Sequence, residues 1–265
     1  LAHLPILGIC SDCPEILKPW PTGGDALPQL VCHRGANFVA PENTLIATSI
    51  CISQGFDIVE IDVRTTADSE IVLMHDATVD RTTNGKGLVR DLTLEQIQQL
   101  DAGSAYSEMY KGTMVPTLYE FLEHCRGRCG AYVEIKDADP DQVLKKVVVH
   151  EMLDNVFFWC RNRDVMKRIR SLEPKAQLMA TRWMFPDLES TIADYQANIV
   201  EYELGRDDFS EIPKCQSLGV KAMVFSLTHD SEKLRQIQSV NADLVNLDRP
   251  DLFKLLSFYP QSLRS

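Results

Sequence analysis

Leu30-Val31-Cys32-His33-Arg34-Gly35 decides the fold. A short apolar run ends abruptly in charged residues. An open, doubly wound sheet normally carries a glycine-rich phosphate turn after its first strand, and here that place holds His-Arg-Gly. Working outward, further β-rich runs follow at Ile58–Val63, Ala131–Ile135, Val156–Trp159, Gln177–Ala180, Ile199–Tyr202, Lys221–Phe225 and Asp243–Asn246. Between most of them lie amphipathic stretches of helical length: Thr44–Gln54, Asp141–Glu151, Asp164–Leu172, Asp187–Tyr195, Phe209–Leu218 and Asp230–Val240, with Pro250–Ser257 after the last. Apolar strands alternating with helices imply a parallel sheet buried on both faces. Eight such units predict a TIM (β/α)8 barrel in the α/β class, with the open sheet as runner-up. The 265 residues suit the ~250 that such a barrel needs.

One connection is too long for a plain barrel unit. Roughly 65 residues separate the second run from the third. They contain an extra β-like run, Ile71–Met74, and a turn at Thr82-Thr83-Asn84-Gly85-Lys86-Gly87. A helix entry follows, with Thr93 and Gln96 at capping-box spacing, and then a helix at Leu118–Cys125. Loops of this length in compact domains are usually functional. Residues 76–116 are therefore expected to form a small cap after strand two, over the catalytic mouth. Residues 1–265 read as one domain, with 1–28, rich in Pro and Gly, as a peripheral N-terminal segment.

The net charge of −11 opposes non-specific nucleic-acid binding, which depends on basic surface. No apolar run reaches the ~20 residues of a transmembrane helix. Ala2–Gly8 has no charged start and does not read as a signal peptide. Of eight cysteines, Cys10/Cys13 and Cys125/Cys129 are spaced for a disulfide or for shared zinc, though neither pair has a histidine at finger spacing. Cys32, Cys51, Cys160 and Cys215 read as small core residues. Thiols read as free lean toward a cytoplasmic setting, but the compartment and the oligomeric state are not legible.

Strand residues i and i+2 point the same way. Glu60 and Asp62 therefore share a face near the end of strand two, and Glu134 and Lys136 repeat the spacing at the end of strand three. His33 ends strand one. In a barrel these ends converge at the C-terminal mouth. Three carboxylates buried together need more positive charge than Arg34 and Lys136 provide. One divalent metal ion is the natural solution, and all-oxygen ligation favours Mg2+ or Ca2+. His75 follows the Ile71–Met74 run, and with His33 it would place two imidazoles at one mouth, suited to proton transfer near neutral pH. Asp76 could orient a ring or cap the turn. Asn43, in Pro41-Glu42-Asn43-Thr44, could cap a helix or contact metal or substrate. His3, His124, His150 and His229 have no comparable setting and are expected to be exposed.

Taken in order, these motifs resemble the glycerophosphodiester phosphodiesterase family from Leu30 to about Phe253. The resemblance rests on His33-Arg34-Gly35, Pro41-Glu42-Asn43-Thr44, Glu60-Ile61-Asp62-Val63, His75-Asp76, Asp80-Arg81-Thr82-Thr83-Asn84-Gly85, Val115-Pro116-Thr117-Leu118, Glu134-Ile135-Lys136 and Asp248-Arg249-Pro250. It implies a capped TIM barrel that hydrolyses a small-molecule glycerophosphodiester to glycerol 3-phosphate and an alcohol. Glu60, Asp62 and Glu134 would ligate the metal, Arg34 and Lys136 would bind phosphate, and His33 and His75 would be the acid–base pair. Phe225-Ser226 stands where the family often has Trp-Thr, and Phe225 would give the glycerol an apolar wall. Asp68-Ser69-Glu70 replaces the family's Asp-Gly turn, a change confined to the hairpin. A rival on the same barrel is lysophospholipase D-type cleavage, for which Ile97, Leu100, Tyr106, Met109 and Tyr110 could line an acyl groove or simply pack the cap. A non-catalytic phosphate or polyol binder is the rival from another class.

Overall fold

The structure, a computed structural model, describes residues 27–258. Expectations placed on residues 1–26, including His3 and the Cys10/Cys13 pair, lie outside the described residues. The strands are β1 (Gln29–Cys32), β2 (Ile58–Thr65), β3 (Ile71–Leu73), β4 (Gly130–Ile135), β5 (Val156–Trp159), β6 (Gln177–Thr181), β7 (Ile199–Glu203), β8 (Lys221–Ser226) and β9 (Leu244–Leu247). They are ordered β1-β9-β8-β7-β6-β5-β4-β2-β3, and a further β1–β2 pairing closes the circle. Every pairing is parallel except that of β3 with β2. This is the predicted eight-stranded TIM barrel. The open sheet is excluded by the β1–β2 register, Val31 opposite Ile58 and Cys32 opposite Val59.

Helices α1 (Leu45–Ser53), α2 (Leu94–Gln98), α3 (Leu118–Cys125), α4 (Pro140–Val149), α5 (Arg163–Leu172), α6 (Leu188–Ala193), α7 (Ile212–Ser217), α8 (Ser231–Gln238) and α9 (Pro250–Phe258) complete the chain. Their starts follow from side chains that accept the first free N–H groups. Thr44, Asp139, Asn162, Asp187 and Asp230 cap α1, α4, α5, α6 and α8. Thr93 with Gln96 and Thr117 with Glu120 form full capping boxes on α2 and α3. In α3, Leu118, Phe121, Leu122 and Cys125 recur at helical spacing and are all buried. Among the described residues no helix is long and apolar enough to cross a membrane.

Two cores follow from strand periodicity. Residues pointing outward from the barrel pack beneath the helices. Residues pointing inward form a plug, one from each barrel strand: Val31, Ile58, Tyr132, Phe157, Met179, Ile199, Met223 and Leu244. The insertion after β2 has a small core of its own, with Val72, Met74, Val79, Val89, Ile97, Ala102 and Val115 all buried. Its hairpin turns at Ser69, which takes φ +66°, the left-handed conformation that glycine adopts without strain.

Two expectations need revision. His150 is not exposed. It is 4% accessible, its Nδ1 lies 2.7 Å from the Lys146 carbonyl, and its ring meets Tyr119 edge-on at 4.7 Å. His124 is half-buried, 2.9 Å from the Ser49 hydroxyl. Cys125 and Cys129, by contrast, are both free thiols, in line with the thiols read as free in the sequence. Of the insertion's apolar residues, Ile97 and Leu100 pack inward, Tyr110 donates its hydroxyl to the Val39 carbonyl, and Tyr106 and Met109 are exposed.

Candidate active site

Two residues beyond each member of the plug, the same strand face brings up a second ring: His33, Glu60, Glu134, Trp159, Thr181, Glu201, Phe225 and Asn246. All eight line a cavity of about 240 Å³ at the C-terminal mouth, joined by Arg34, His75, Trp183 and Glu203. A larger cavity of about 520 Å³ opens at the other end of the barrel, beside Gln29, Asp57, Arg128 and Lys221. It holds Cys129 but none of the candidate catalytic, phosphate-binding or metal-ligating residues of the sequence.

Adjacent strands bring the acids together. Asp62 is in register with Glu134, and Glu60 sits two residues earlier on the same face. Ligand oxygens from Glu60, Asp62 and Glu134 lie within 4.8 Å of one another, the one such acidic, thiol or imidazole cluster among the described residues. Glu60 and Asp62 are each 1% exposed. Burial, with the charges of Asp62 and Glu134, pushes the Glu60 carboxyl well up. Glu134 is raised by burial and by Asp62, with Lys136 opposing. Burial pushes Asp62 the same way, but Lys136 and Arg34 outweigh it and hold this carboxyl below the usual range. Lys136 Nζ is 3.0 Å from Asp62 and also contacts Glu134.

Arg34 is placed by its backbone. It takes φ +56°, and its N–H donates to Glu60 Oε2 at 2.6 Å. Gly35 follows at φ +80°, where a Cβ would come within 2.9 Å of the Ala47 Cβ, so only glycine fits. The Arg34 guanidinium reaches Glu42 at 3.2 Å and Asp62 at 3.6 Å. Asn43 arrives at the cluster but not at the cavity wall. Its Nδ2 donates to Asp62 Oδ2 at 2.8 Å, and its Oδ1 accepts the Asp62 N–H at 3.1 Å. Through these two bonds Asn43 positions the Asp62 carboxylate.

Each histidine has a carboxylate behind it. His33 Nδ1 lies 2.6 Å from Asp248, which also accepts from Asn37. His75 Nδ1 lies 2.7 Å from Asp76, held in turn by Arg81. Arg64 fixes the His75 carbonyl through Nε and Nη2 at 3.1 and 2.7 Å. A carboxylate on Nδ1 favours the proton there and leaves Nε2 for chemistry. Burial lowers the His75 pKa despite Asp76. Phe225 packs edge-on to His33, centroids 5.5 Å apart. Sequence reasoning assigned no role to Asp248, Trp159, Thr181, Glu201 or Asn246. Glu201 carried a signal: with Glu203 it repeats the i,i+2 acid spacing in an apolar strand.

Residues 33–202 match the Glycerophosphoryl diester phosphodiesterase family. The glycerophosphodiester phosphodiesterase of Caldanaerobacter subterraneus subsp. tengcongensis is 28% identical over 86% of this chain and 97% of its own length. Two Bacillus subtilis relatives, at 40% and 31% identity, are spanned by the chain over only 59% and 60% of their lengths. A solved glycerophosphodiester phosphodiesterase from Agrobacterium tumefaciens superposes with a TM-score of 0.80 at 34% identity, covering 86% of this chain and all of that one. An Oleispira antarctica phosphodiesterase, solved with the product sn-glycerol-3-phosphate, superposes at 0.75 with 25% identity, covering 90% of this chain and 98% of that one. Sequence, barrel and likeness to solved enzymes agree: the chain belongs to the glycerophosphoryl diester phosphodiesterase family.

Proposed function

We propose that this protein hydrolyses glycerophosphodiesters to glycerol 3-phosphate and an alcohol. One observation carries the reading: three carboxylates lie within 4.8 Å of one another, and two of them, Glu60 and Glu134, line a cavity with two imidazoles, each backed by its own carboxylate. The residues fit a divalent ion. Glu60 Oε1 is buried without a hydrogen-bond partner, and burial together with neighbouring carboxylates raises Glu60 and Glu134, so the cluster lacks positive charge. Glu60, Asp62 and Glu134 would hold the ion, with Mg2+ or Ca2+ favoured by the all-oxygen set. Bound there, it would supply charge stabilisation to the phosphoryl oxygens.

The chain's own groups do the rest. Arg34 and Lys136 face the phosphate with positive charge. His33 Nε2 takes the proton of a nucleophile, either water or the glycerol 2-hydroxyl, as its oxygen bonds to phosphorus. His75 gives a proton to the alcohol oxygen as that P–O bond breaks. Along the hydroxyl route a cyclic phosphate forms and water then opens it. Glycerophosphocholine turnover tests the whole reading. It is expected to be abolished by chelation, restored by Mg2+ or Ca2+, and lost in Glu134→Gln together with the calorimetric signal of ion binding. Full turnover in stripped protein refutes it. The exposed Tyr106 and Met109 on the insertion support a second reading, cleavage of lysophospholipids. Faster turnover of lysophosphatidylcholine than of glycerophosphocholine would select it.

A further inference from the structure

From the insertion after β2, Arg81 reaches two carboxylates at once, and the mechanism above leaves it without a role. Its Nε and Nη2 donate to Asp76 Oδ2 and Oδ1 at 2.7 and 3.0 Å. Its Nη1 and Nη2 donate to Glu42 Oε2 and Oε1 at 2.9 and 2.8 Å. Each carboxylate then leads on to a residue of the candidate site. Asp76 Oδ1 also meets His75 Nδ1 at 2.7 Å, and Glu42 Oε1 accepts from Arg34 Nη1 at 3.2 Å. The row His75–Asp76–Arg81–Glu42–Arg34 thus joins the proton donor to a phosphate-binding residue. Its two ends come from separate parts of the chain, Arg34 from just after β1 and His75 from just after β3. Stability explains this row poorly. Arg81 is 47% exposed, and ion pairs at such positions contribute little. Geometry explains it better. Paired N–H···O bonds fix the plane of a carboxylate as well as its place, and Arg81 holds both carboxylates in this way. Its hydrogen bonds keep Asp76 well below the usual carboxylate range. Burial pushes Glu42 up, but Arg81 and Arg34 outweigh it and lower this carboxyl too. The fork also settles a competition. Arg81 engages both Glu42 oxygens, and Arg34 shares only one of them, at the longer distance.

We propose that Arg81 is a positioning residue: it holds Asp76 against His75, so that the proton is aimed at the leaving alcohol, and holds Glu42 off Arg34, so that the Arg34 guanidinium meets the phosphate. This rests on the phosphodiesterase reading. Steady-state kinetics with Mg2+ supplied, on glycerophosphocholine and on the p-nitrophenyl ester of glycerol 3-phosphate, tests it. In Arg81→Gln the kcat for glycerophosphocholine is expected to fall about 10- to 100-fold, part of what an aimed general acid contributes. The kcat for the p-nitrophenyl ester, whose phenolate leaves without a proton, is expected to fall less than about 3-fold. KM is expected to rise about 3- to 10-fold for both esters, as Glu42 turns onto Arg34. Arg81→Lys keeps the charge but loses the fork. It is expected to show the same split, and it serves should Arg81→Gln misfold. Equal loss of kcat on the two esters, the mark of a merely structural arginine, overturns the role, and so does no loss on either. A kcat split with unchanged KM overturns the Arg34 half. Wild-type protein that turns over glycerophosphocholine, beside variants without the split, sinks only the role of Arg81. Wild-type protein without turnover of either ester, under Mg2+ or Ca2+, sinks the phosphodiesterase reading first.

Discussion

Glu201 shows what a single buried acid does to the molecule. Burial, with Glu134, Glu203 and Asp207 nearby, pushes its carboxyl up to about 8, against the opposing Asn246 side chain. The native state therefore keeps this proton at pH values where the unfolded chain has released it. Stability falls as pH rises from about 4.5 to about 8, by at most ~5 kcal/mol from this group. In chelated protein, Glu201→Gln is expected to lessen that decline, with Glu60 and Glu134 keeping the remainder, seen as denaturation midpoints that drop less between pH 5 and 8. An unaltered slope would show that the side chain finds a charge partner. His75 makes a different prediction. Its loss in His75→Ala should abolish turnover of glycerophosphocholine, whose alcohol needs a proton to leave, and spare a p-nitrophenyl ester, whose phenolate does not. Equal loss on both would remove His75 from the acid role.

At the level of elements, α3 (Leu118–Cys125) returns the chain from the insertion to β4. Its Thr117–Glu120 capping box satisfies N–H groups that have no partner within the helix. Thr117→Ala should cost about 1 kcal/mol. Phe121→Ala, at a fully buried position, should cost about 3–5 kcal/mol. Urea denaturation separates the two, and a smaller cost for Phe121 than for Thr117 would contradict the packing described. Such elements were legible because their signals are local: a capping residue three positions before Glu or Gln, or an apolar run ending in charge. Glu60, Asp62 and Glu134 were legible for the same reason, since an acid inside an apolar strand requires explanation. Thr181, Trp159 and Asn246 were not. A neutral residue at a strand end looks the same whether it faces a cavity or a helix. Asp248 was hidden by distance, lying 215 positions from the histidine it orients. His150 misled because a histidine after three valines gives no sign of the tyrosine that covers it.

For the whole molecule, closure of the barrel governs access. The eight-residue plug of Val31, Ile58, Tyr132, Phe157, Met179, Ile199, Met223 and Leu244 is almost fully buried, so among the described residues the barrel axis gives the catalytic chamber no passage through its bottom. Reactant enters and both fragments leave by the same route. With the phosphate held by Arg34, Lys136 and the ion as proposed, the alcohol fragment, which carries no phosphate, leaves first. Glycerol 3-phosphate should then inhibit competitively, and choline non-competitively, in steady-state product-inhibition plots. Swapped patterns would mean that glycerol 3-phosphate leaves first. A dead-end vessel thus turns a simple hydrolysis into a queue.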